Sequence, residues 1–496
     1  MFRTITKHIL KEQNKNLIAE NLLLKEQILK QEAIINKQAL KIDELETRLN
    51  HLENIQSKDS TNSSKPPSTD GFKRTVSMRS KSGKSVGGQK GHPGHYHPMV
   101  EKANRYEIHS VSKCSGCGQD ISTTGVLEYQ RRQVIDIPPI IIAVTEHQAE
   151  VKCCPHCQKM NTASFPTSVK QPVQYGPNIR SQVIYMLNFL LLPVGRTAKC
   201  LHDFFGIDIS EGTLVNIQKE CADNLDVFES NLKACLQRQP VLHFDETGYY
   251  IANLRQWLHV ACTKELTLYM PHQKRGKEAM DAMGILPNYE GIAVHDYWKS
   301  YMEYSCSHIL CNAHHLRDLN FCAVLEESEW AVLMIGFLFT IKDLVDESKN
   351  KSLTCLKTEQ IEEAEQQYDL LIHLGKEQNP LPVKQAGKRG QTKKSKTLNM
   401  VIRFDEHRKS VLGFMYDFLI PFDNNQAEQD IRMTKVKLKV SGCFRSMEGA
   451  EAFALIRSYI STIRKQGKDL IKAILSAVNG NPLMPEMFNS PSVQSG

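Results

Sequence analysis

The sequence has no long hydrophobic run, few cysteines for its length and only a small excess of one charge. Its longest apolar stretch, residues 183–194, is interrupted by Asn188 and is too short to cross a bilayer. Residues 1–7 lack the apolar segment of a signal peptide, and 14 cysteines among 496 residues are too few for a disulfide scaffold. We therefore expect a soluble cytoplasmic protein with no membrane partner, whose reduced thiols are free to bind metal.

The excess charge is small but concentrated in one segment. The chain has 62 Lys and Arg residues against 55 Asp and Glu, a net charge of +7, which excludes a polycationic packaging protein. Residues 57–98 contain eight basic and two acidic residues, a net charge of +6, in a background rich in Ser, Pro and Gly. Such a composition does not order itself. We predict a basic flexible linker over residues 57–100 in which Lys73, Arg74 and Lys90 contact DNA phosphates; a solubilising tether is the alternative.

Residues 8–56 contain neither Pro nor Gly and fit the heptad pattern of a coiled coil. The two core positions are occupied by Ile28, Ile35, Ile42 and Leu49, and by Leu17, Leu24, Leu45 and Leu52. Asn21 falls at the first position, where a buried polar residue fixes register and strand number. The pattern predicts a homodimer or higher oligomer formed through this segment; a single helix lying on the protein's own surface is the alternative.

Two Cys-X-X-Cys pairs lie within residues 101–168. They consist of Cys114 and Cys117, and of Cys154 and Cys157, and they bracket the strand-like residues 134–144. Four thiolates presented from two tight turns suit a closed tetrahedral Zn²⁺ site, which stabilises a module and leaves no open position for catalysis. We predict a zinc-ribbon-like module. A redox pair or plain buried thiols are the alternatives, and Cys153 could take the place of Cys154.

Residues 169–236 are predicted to form a helical DNA-binding region. Within it, residues 196–205, a turn at Gly206 and residues 210–221 resemble a helix-turn-helix, with Ser210 as the N-cap of the second helix. A helix pair packed in a core fits the same pattern.

From residue 239 the pattern becomes β-rich, and two acids stand at predicted strand ends. Asp245 follows the strand-like residues 241–244, and Asp296 follows residues 291–295. A carboxylate at the end of a buried strand is costly unless it is paired or bound to metal. If the two strands are neighbours, both acids face one cleft and can hold the Mg²⁺ (or Mn²⁺) ions of a two-metal phosphoryl-transfer site. The alternative is that each Asp only caps the turn after its strand.

Glu428 is the third candidate for this site. A helix is predicted to begin beside it with Asn425 as N-cap. Several cations follow closely, namely Arg432, Lys435, Lys437, Lys439 and Arg445. A carboxylate beside phosphate-binding cations suits a DNA end held at a metal site; an ordinary solvated helix face is the alternative.

These motifs resemble those of the large transposase of the insertion sequence 66 family. The resemblance extends from the N-terminal coil to about residue 480 and is most specific at residues 245–247, 311–317 and 424–428. It implies a DDE-type enzyme with a ribonuclease-H-like core and a catalytic triad of Asp245, Asp296 and Glu428. It also implies a helical insertion between the last two, and helper proteins encoded by the same element.

The motif that ends at Arg317 is followed by Asp318, where the family leads us to expect a basic residue. We predict that His314 and Arg317 contact the scissile phosphate or orient the metal ligands. Structural polar residues at the start of a helix are the alternative.

Together these features predict a multidomain α+β protein. It comprises a coiled coil, a zinc-ribbon-like module, a helical helix-turn-helix-like region and a ribonuclease-H-like α/β catalytic core with a helical insertion. The predicted segments are residues 8–56, 57–100, 101–168 and 169–236, then 237–320 and 401–480 for the core, 321–400 for the insertion and 481–496 for the tail.

The predicted function is a DNA transposase associated with the nucleoid. It nicks the ends of an insertion sequence and joins their 3′-hydroxyls to target DNA by Mg²⁺-dependent phosphoryl transfer. Two alternatives are a non-catalytic, zinc-containing coiled-coil DNA-binding regulator and a nuclease that cleaves without joining.

Overall fold

The computed structural model describes residues 98–138, 140–382 and 394–486, which fall into two compact units. One unit ends at His147 and the other begins at Gln148. The predicted coiled coil, most of the predicted linker and the candidates Lys73, Arg74 and Lys90 lie outside the described residues.

In the unit that ends at His147, the first cysteine pair forms a tight turn beside a bridge between Lys113 and Asp120. The strand-like stretch 134–144 forms no strand at any described position, and Val134 is 93% exposed. The prediction of strands is wrong for these positions. β-Branched residues favour strands only where a partner strand supplies hydrogen bonds and packing, and the described residues supply none here.

The unit that begins at Gln148 opens with a short antiparallel hairpin of β1 (Val151–Cys153) and β2 (Met160–Thr162) around the second cysteine pair. Four helices follow: α1 (Pro177–Ile184), α2 (Val194–Phe205), α3 (Glu211–Asp223) and α4 (Asp226–Gln237).

The helices α2 and α3 form the predicted helix–turn–helix pair. Gly206 ends α2 with a φ of 65°, a left-handed conformation that glycine adopts without strain. The Ser210 side chain accepts a hydrogen bond from the Thr213 N–H at 3.1 Å and so caps α3. The turn and the cap are confirmed. The buried face of α3 carries Leu214 and Ile217.

A mixed five-stranded sheet forms the centre of this unit. Its strands are β3 (Val241–Ile251), β4 (Leu254–Cys262), β5 (Thr267–His272), β6 (Ile292–His295) and β7 (Ser307–Leu310). The order is β5-β4-β3-β6-β7, in which β3, β4 and β5 pair antiparallel, whereas β3 pairs parallel with β6 and β6 with β7. Helix α5 (Lys277–Met283) connects the antiparallel and parallel halves along the chain.

Eight further helices complete the 13 in the described part of the chain. They are α6 (Asn312–Leu325), α7 (Glu329–Asn350), α8 (Thr358–Gln378), α9 (Lys396–Glu406), α10 (Arg408–Tyr416), α11 (Asn425–Ser441), α12 (Met447–Lys465) and α13 (Leu470–Val478). The stretch predicted as an insertion, residues 321–400, is helical at the end of α6, in α7 and α8 and at the start of α9. No helix among the described residues has both the length and the apolar character of a membrane span.

The sheet is covered on both faces. Leu242 and Phe244 on one face pack with α1 to α4. On the other face Val294 packs with α6 to α10, while Val260 packs with α11 and the start of α12. Helices cover both faces of the sheet. Polar side chains therefore meet at the end of the sheet that lies beside α6 and α11.

Candidate active site

Asp245 and Asp296 lie side by side on neighbouring strands. The parallel register of β3 and β6 pairs Val241 with Ile292 and His243 with Val294. Continued by two residues, this register sets Asp245 beside Asp296, which directly follows β6. Both side chains then point to the same face, because side chains alternate along a strand.

The sequence pattern predicted that Asp245 ends its strand, and this prediction is wrong. Strand β3 continues to Ile251 and turns into β4 through Ala252 and Asn253, which have φ values of 49° and 62°. Two central residues with positive φ form the tight hairpin turn that matches the twist of the flanking strands. The pairing with β4 therefore extends β3 beyond the acid, and Asp245 is held inside a regular ladder.

The two aspartates crowd one another electrostatically. Burial, together with the neighbouring Glu246 and Asp296 carboxylates, raises the pKa of Asp245 to about 7. Its Oδ1 accepts a hydrogen bond from the Glu246 N–H at 2.9 Å, and Asp296 Oδ1 accepts one from the Trp298 N–H at 3.0 Å. Half-buried carboxylates with one backbone donor each form a donor set that fits a hard divalent cation.

Glu246, the next residue along β3, points to the opposite face. Its side chain is 1% exposed and pairs with Arg275 at 2.8 Å, while the Tyr301 hydroxyl donates to it at 2.6 Å. The guanidinium of Arg275 also stacks over the Trp298 ring, with 3.7 Å to the ring centroid. The Glu246 carboxylate therefore has both a cationic partner and a hydrogen-bond donor. The sequence pattern indicated neither Arg275 nor Tyr301 as a functional residue.

Asn424 fixes the start of α11 against β3. Its Nδ2 donates to the Phe244 carbonyl at 2.7 Å, its Oδ1 lies 2.8 Å from His243 Nδ1, and its N–H donates to Cys311 Sγ at 3.2 Å. Only 2% of Asn424 is exposed. The helix begins at Asn425, so the predicted N-cap at Asn425 is wrong by one residue. The capping position belongs to Asn424, whose side chain bonds to β3.

This junction brings Glu428 to the residues of the 311–317 motif. Glu428 Oε1 lies 3.8 Å from His314 Nδ1 and 3.7 Å from Arg317 Nη2. Ligand atoms of Cys311, His314 and Glu428 all lie within 4.8 Å of one another. Glu428 Oε1 and His314 Nδ1 are buried atoms with no hydrogen-bond partner among the described residues. A carboxylate oxygen and a ring nitrogen that face each other in this way suit a bound cation.

The cations that follow Glu428 differ in their exposure. Arg432, Lys435, Lys439 and Arg445 are exposed, and Lys435 acts electrostatically on Asp245. Lys437 is 9% exposed, lies over the Phe453 ring and has a pKa that burial lowers to about 8. Its predicted place on an exposed phosphate-binding face is therefore wrong, because its side chain packs into the core.

Asp318, the residue that departs from the expected pattern, is used in packing. It forms ion pairs with Lys396 at 2.9 Å and with Arg403 at 3.2 Å. The acid thus links α6 to α9 and leaves Arg317, its neighbour, beside Glu428.

The first cysteine pair forms a turn that favours thiolates. The Cys114 N–H donates to the Gln119 carbonyl and the Gly118 N–H to the Cys114 carbonyl, both at 2.9 Å. Backbone N–H groups of Cys117 and Gly116 lower the pKa of Cys114. A lowered pKa favours the form of cysteine that binds metal.

The second pair, described by itself, repeats this geometry. The Cys154 N–H donates to the Lys159 carbonyl at 2.9 Å and the Gln158 N–H to the Cys154 carbonyl at 2.8 Å. Backbone N–H groups of Cys157 and His156 lower the pKa of Cys154. The neighbouring Cys153 thiol instead donates to the Gln158 carbonyl at 3.3 Å. Each pair thus offers two sulfur ligands of the kind that Zn²⁺ binds.

Comparisons with known protein families match three parts of the chain. Residues 172–452 match the model of the transposase IS66 family. Residues 112–158 match the zinc-finger binding domain of transposase IS66, and residues 12–98 match a family of unknown function. A search of curated proteins found no match.

Proposed function

The chain belongs to the IS66 transposase family, and on this basis we propose that it cleaves and joins DNA with Asp245, Asp296 and Glu428. The proposed substrates are the ends of an insertion sequence and a target DNA. The proposed products are nicked ends whose 3′-hydroxyls become joined to the target.

The observation that carries the proposal is the shared register of Asp245 and Asp296. Asp245 and Asp296 lie on adjacent parallel strands, and the pKa of Asp245 is raised to about 7 by burial and by the neighbouring carboxylates, an excess of negative charge that a divalent cation would relieve. The order of the sheet supports a ribonuclease-H-like core, in which three antiparallel strands are extended by two parallel ones on the side of the first strand.

Mg²⁺ bound by the three carboxylates would supply a Lewis acid for phosphoryl transfer. The chain's own groups do the remaining work. Asn424 fixes Glu428 against β3, and the Arg317 guanidinium, 52% exposed, is available to a DNA phosphate beside Glu428. The exposed cations of α11 hold the flanking backbone by charge, independent of sequence.

The zinc-finger match supports a structural zinc ion. We propose Cys114, Cys117, Cys154 and Cys157 as its ligands. The matched segment includes both cysteine turns, and each turn favours thiolates through its own backbone N–H groups.

The described structure does not cover the remaining parts of the proposal. Self-association through residues 8–56, phosphate binding by Lys73, Arg74 and Lys90, helper proteins and association with the nucleoid stay predictions from the sequence.

The test is an assay of the full chain with Mg²⁺ and labelled DNA from the ends of the insertion sequence. Nicked ends together with products joined to a target duplex are the expected result. Nicking without joined products would identify a nuclease, and binding without nicking would identify a regulator. Replacement of Mg²⁺ by Ca²⁺, without a chelator that would also remove zinc, should remove both products while leaving DNA binding within about twofold, because binding rests on the cations.

A further inference from the structure

A cavity of about 280 Å³ lies between α11, α12 and β5. Its lining includes Tyr269, Asp430, Arg457, Arg464 and Lys465. Its volume exceeds that of several water molecules, enough for a tetrahedral oxyanion. Among these side chains are three cations and one acid.

The acid is already neutralised by one of the cations. Lys465 Nζ lies 2.5 Å from Asp430 Oδ2 and also donates to the carbonyls of Thr263 at 2.7 Å and Leu266 at 3.2 Å. Its three donors are therefore used. The Lys465–Asp430 pair contributes no net charge, and two guanidinium groups remain.

Arg457 is a buried cation without a carboxylate partner among the described residues. It is 6% exposed, its Nη1 donates to the Asn188 carbonyl at 3.1 Å, and its Nε has no hydrogen-bond partner in the described structure. The Tyr269 side chain and Asp430 act favourably on this charge, whereas Arg464, which is exposed and lies over the Phe189 ring with 4.8 Å to the centroid, acts against it. A buried guanidinium that has an unused donor and a second cation lining the same cavity costs free energy, which a bound anion would reduce.

This cavity is separate from the carboxylate site. Glu428 and Asp430 are two residues apart on α11, about 200° around the helix, so the helix stands between the two sites. Asp245 pairs with Val260, which in turn pairs with Tyr269. The cavity therefore lies on the same face of the sheet, two strand spacings or ~10 Å along the row from Asp245.

We propose that this cavity binds a phosphate group between Arg457 and Arg464. A planar guanidinium offers two parallel N–H donors to phosphate oxygens, and Arg457 holds its unused donor in place before binding. The inference goes beyond the proposed function and does not depend on it. The phosphate can come from a DNA backbone or from a free phosphate compound, and the two sources share this chemistry.

The first test measures the unfolding midpoint and phosphate titration of the full chain with inorganic phosphate, against chloride of equal ionic strength. Phosphate should raise the midpoint of the wild type, and Arg464→Gln should weaken binding about tenfold, since it removes one charged hydrogen-bond donor group. Lys351→Gln, at an exposed lysine that follows α7, is the matched control and should bind like the wild type. Arg464→Gln is the decisive variant because Arg457→Met can perturb folding.

The proposal is overturned if phosphate has no effect beyond chloride, or if Arg464→Gln and the wild type bind it equally. A second arm distinguishes the sources by the salt dependence of binding to a short DNA duplex. A slope reduced by about 0.9 in Arg464→Gln assigns the cavity to a DNA phosphate. An unchanged slope, with inorganic phosphate binding weakened, assigns it to a free phosphate compound.

Discussion

The two faces of strand β3 carry adjacent acids in opposite surroundings. On one face Glu246 pairs with Arg275 and accepts a hydrogen bond from Tyr301. On the other face Asp245 has one backbone donor and meets Asp296, a like charge. An acid whose partners are complete gains little from a cation, whereas a crowded acid gains much. The difference separates the structural acid from the acid that is available for chemistry.

Helix α11 repeats this contrast over two residues. Asp430 is paired with Lys465, while Glu428 Oε1 has no hydrogen-bond partner among the described residues. The two incompletely paired acids are Asp245, which lies beside β6, and Glu428, which lies beside the 311–317 motif. Incomplete pairing therefore distinguishes the acids that we propose to be catalytic from their paired neighbours.

The strongest test of the contrast replaces the crowded acid. Asp245→Asn should lower the rate of end cleavage by about 1000-fold, which is about 4 kcal/mol of transition-state stabilisation, and leave DNA binding unchanged. Asp296→Asn and Glu428→Gln should behave alike. Asp318→Asn, which removes a packing acid, serves as the control and should retain cleavage. Any triad variant that still cleaves like the wild type is excluded from the site.

The same distinction between engaged and available groups applies to two adjacent cysteines. Cys154→Ser should lose bound zinc and soluble yield, because the Cys154 thiolate is favoured by backbone donors. Cys153→Ser should keep its zinc, because the Cys153 thiol is hydrogen-bonded to a backbone carbonyl. Metal content per chain, measured on purified protein, decides the assignment; the reverse result would make Cys153 the ligand.

Glu246→Gln tests the engaged face of β3. The change leaves Arg275 without its buried carboxylate and should cost about 2–3 kcal/mol of the free energy of unfolding, measured by urea denaturation with an unchanged slope. Cleavage per folded molecule should stay within a fewfold of the wild type. Loss of cleavage at full stability would instead place Glu246 among the reacting groups.

The smallest expected effect concerns His259, which pairs with Glu246 across β3 and β4. Burial, opposed by the Lys274 carbonyl, lowers the pKa of His259 to about 4. The unfolded chain, with an ordinary histidine pKa near ~6.5, binds the proton first as pH falls. Stability is therefore complete above pH ~6.5 and declines as pH falls towards ~4, by about 2 kcal/mol at pH ~5.

His259→Gln retains a side-chain N–H for the Lys274 carbonyl and removes the titration. The difference in unfolding free energy between the wild type and this variant should change by that amount between pH ~8 and ~5. A difference that is independent of pH would show that His259 does not carry the effect.

Local sequence patterns and the spacing of apolar and acidic residues predicted part of this structure correctly. The turn at Gly206 and the cap at Ser210 depend on backbone preferences within a few residues, so the sequence contains the required information. The adjacency of Asp245 and Asp296 follows from the two apolar stretches that precede these acids, which form neighbouring parallel strands. The motif-based assignment to the IS66 transposase family is confirmed by the family match.

The errors arose where distant contacts decide the outcome. The end of β3 is set by its hairpin with β4, and the side chain of Asn424 is directed by a strand 180 residues away. In the sequence Lys437 has the pattern of a surface cation, but in the structure its side chain lies over the Phe453 ring of α12. Residues 134–144 have the composition of strands without a partner strand among the described residues. In each case the deciding group lies far along the chain.

The hydrogen bond from Asn424 to Phe244 has a consequence for protein synthesis. The ribosome completes the aspartates of β3 and β6 more than a hundred residues before it reaches the helix that carries Glu428. A nascent or prematurely terminated chain that ends before Asn424 contains the residues of all five strands of the central sheet but lacks Glu428. The DNA cleavage that we propose for this site would therefore require a completed chain, because fragments released before translation is finished lack one of its three proposed acids.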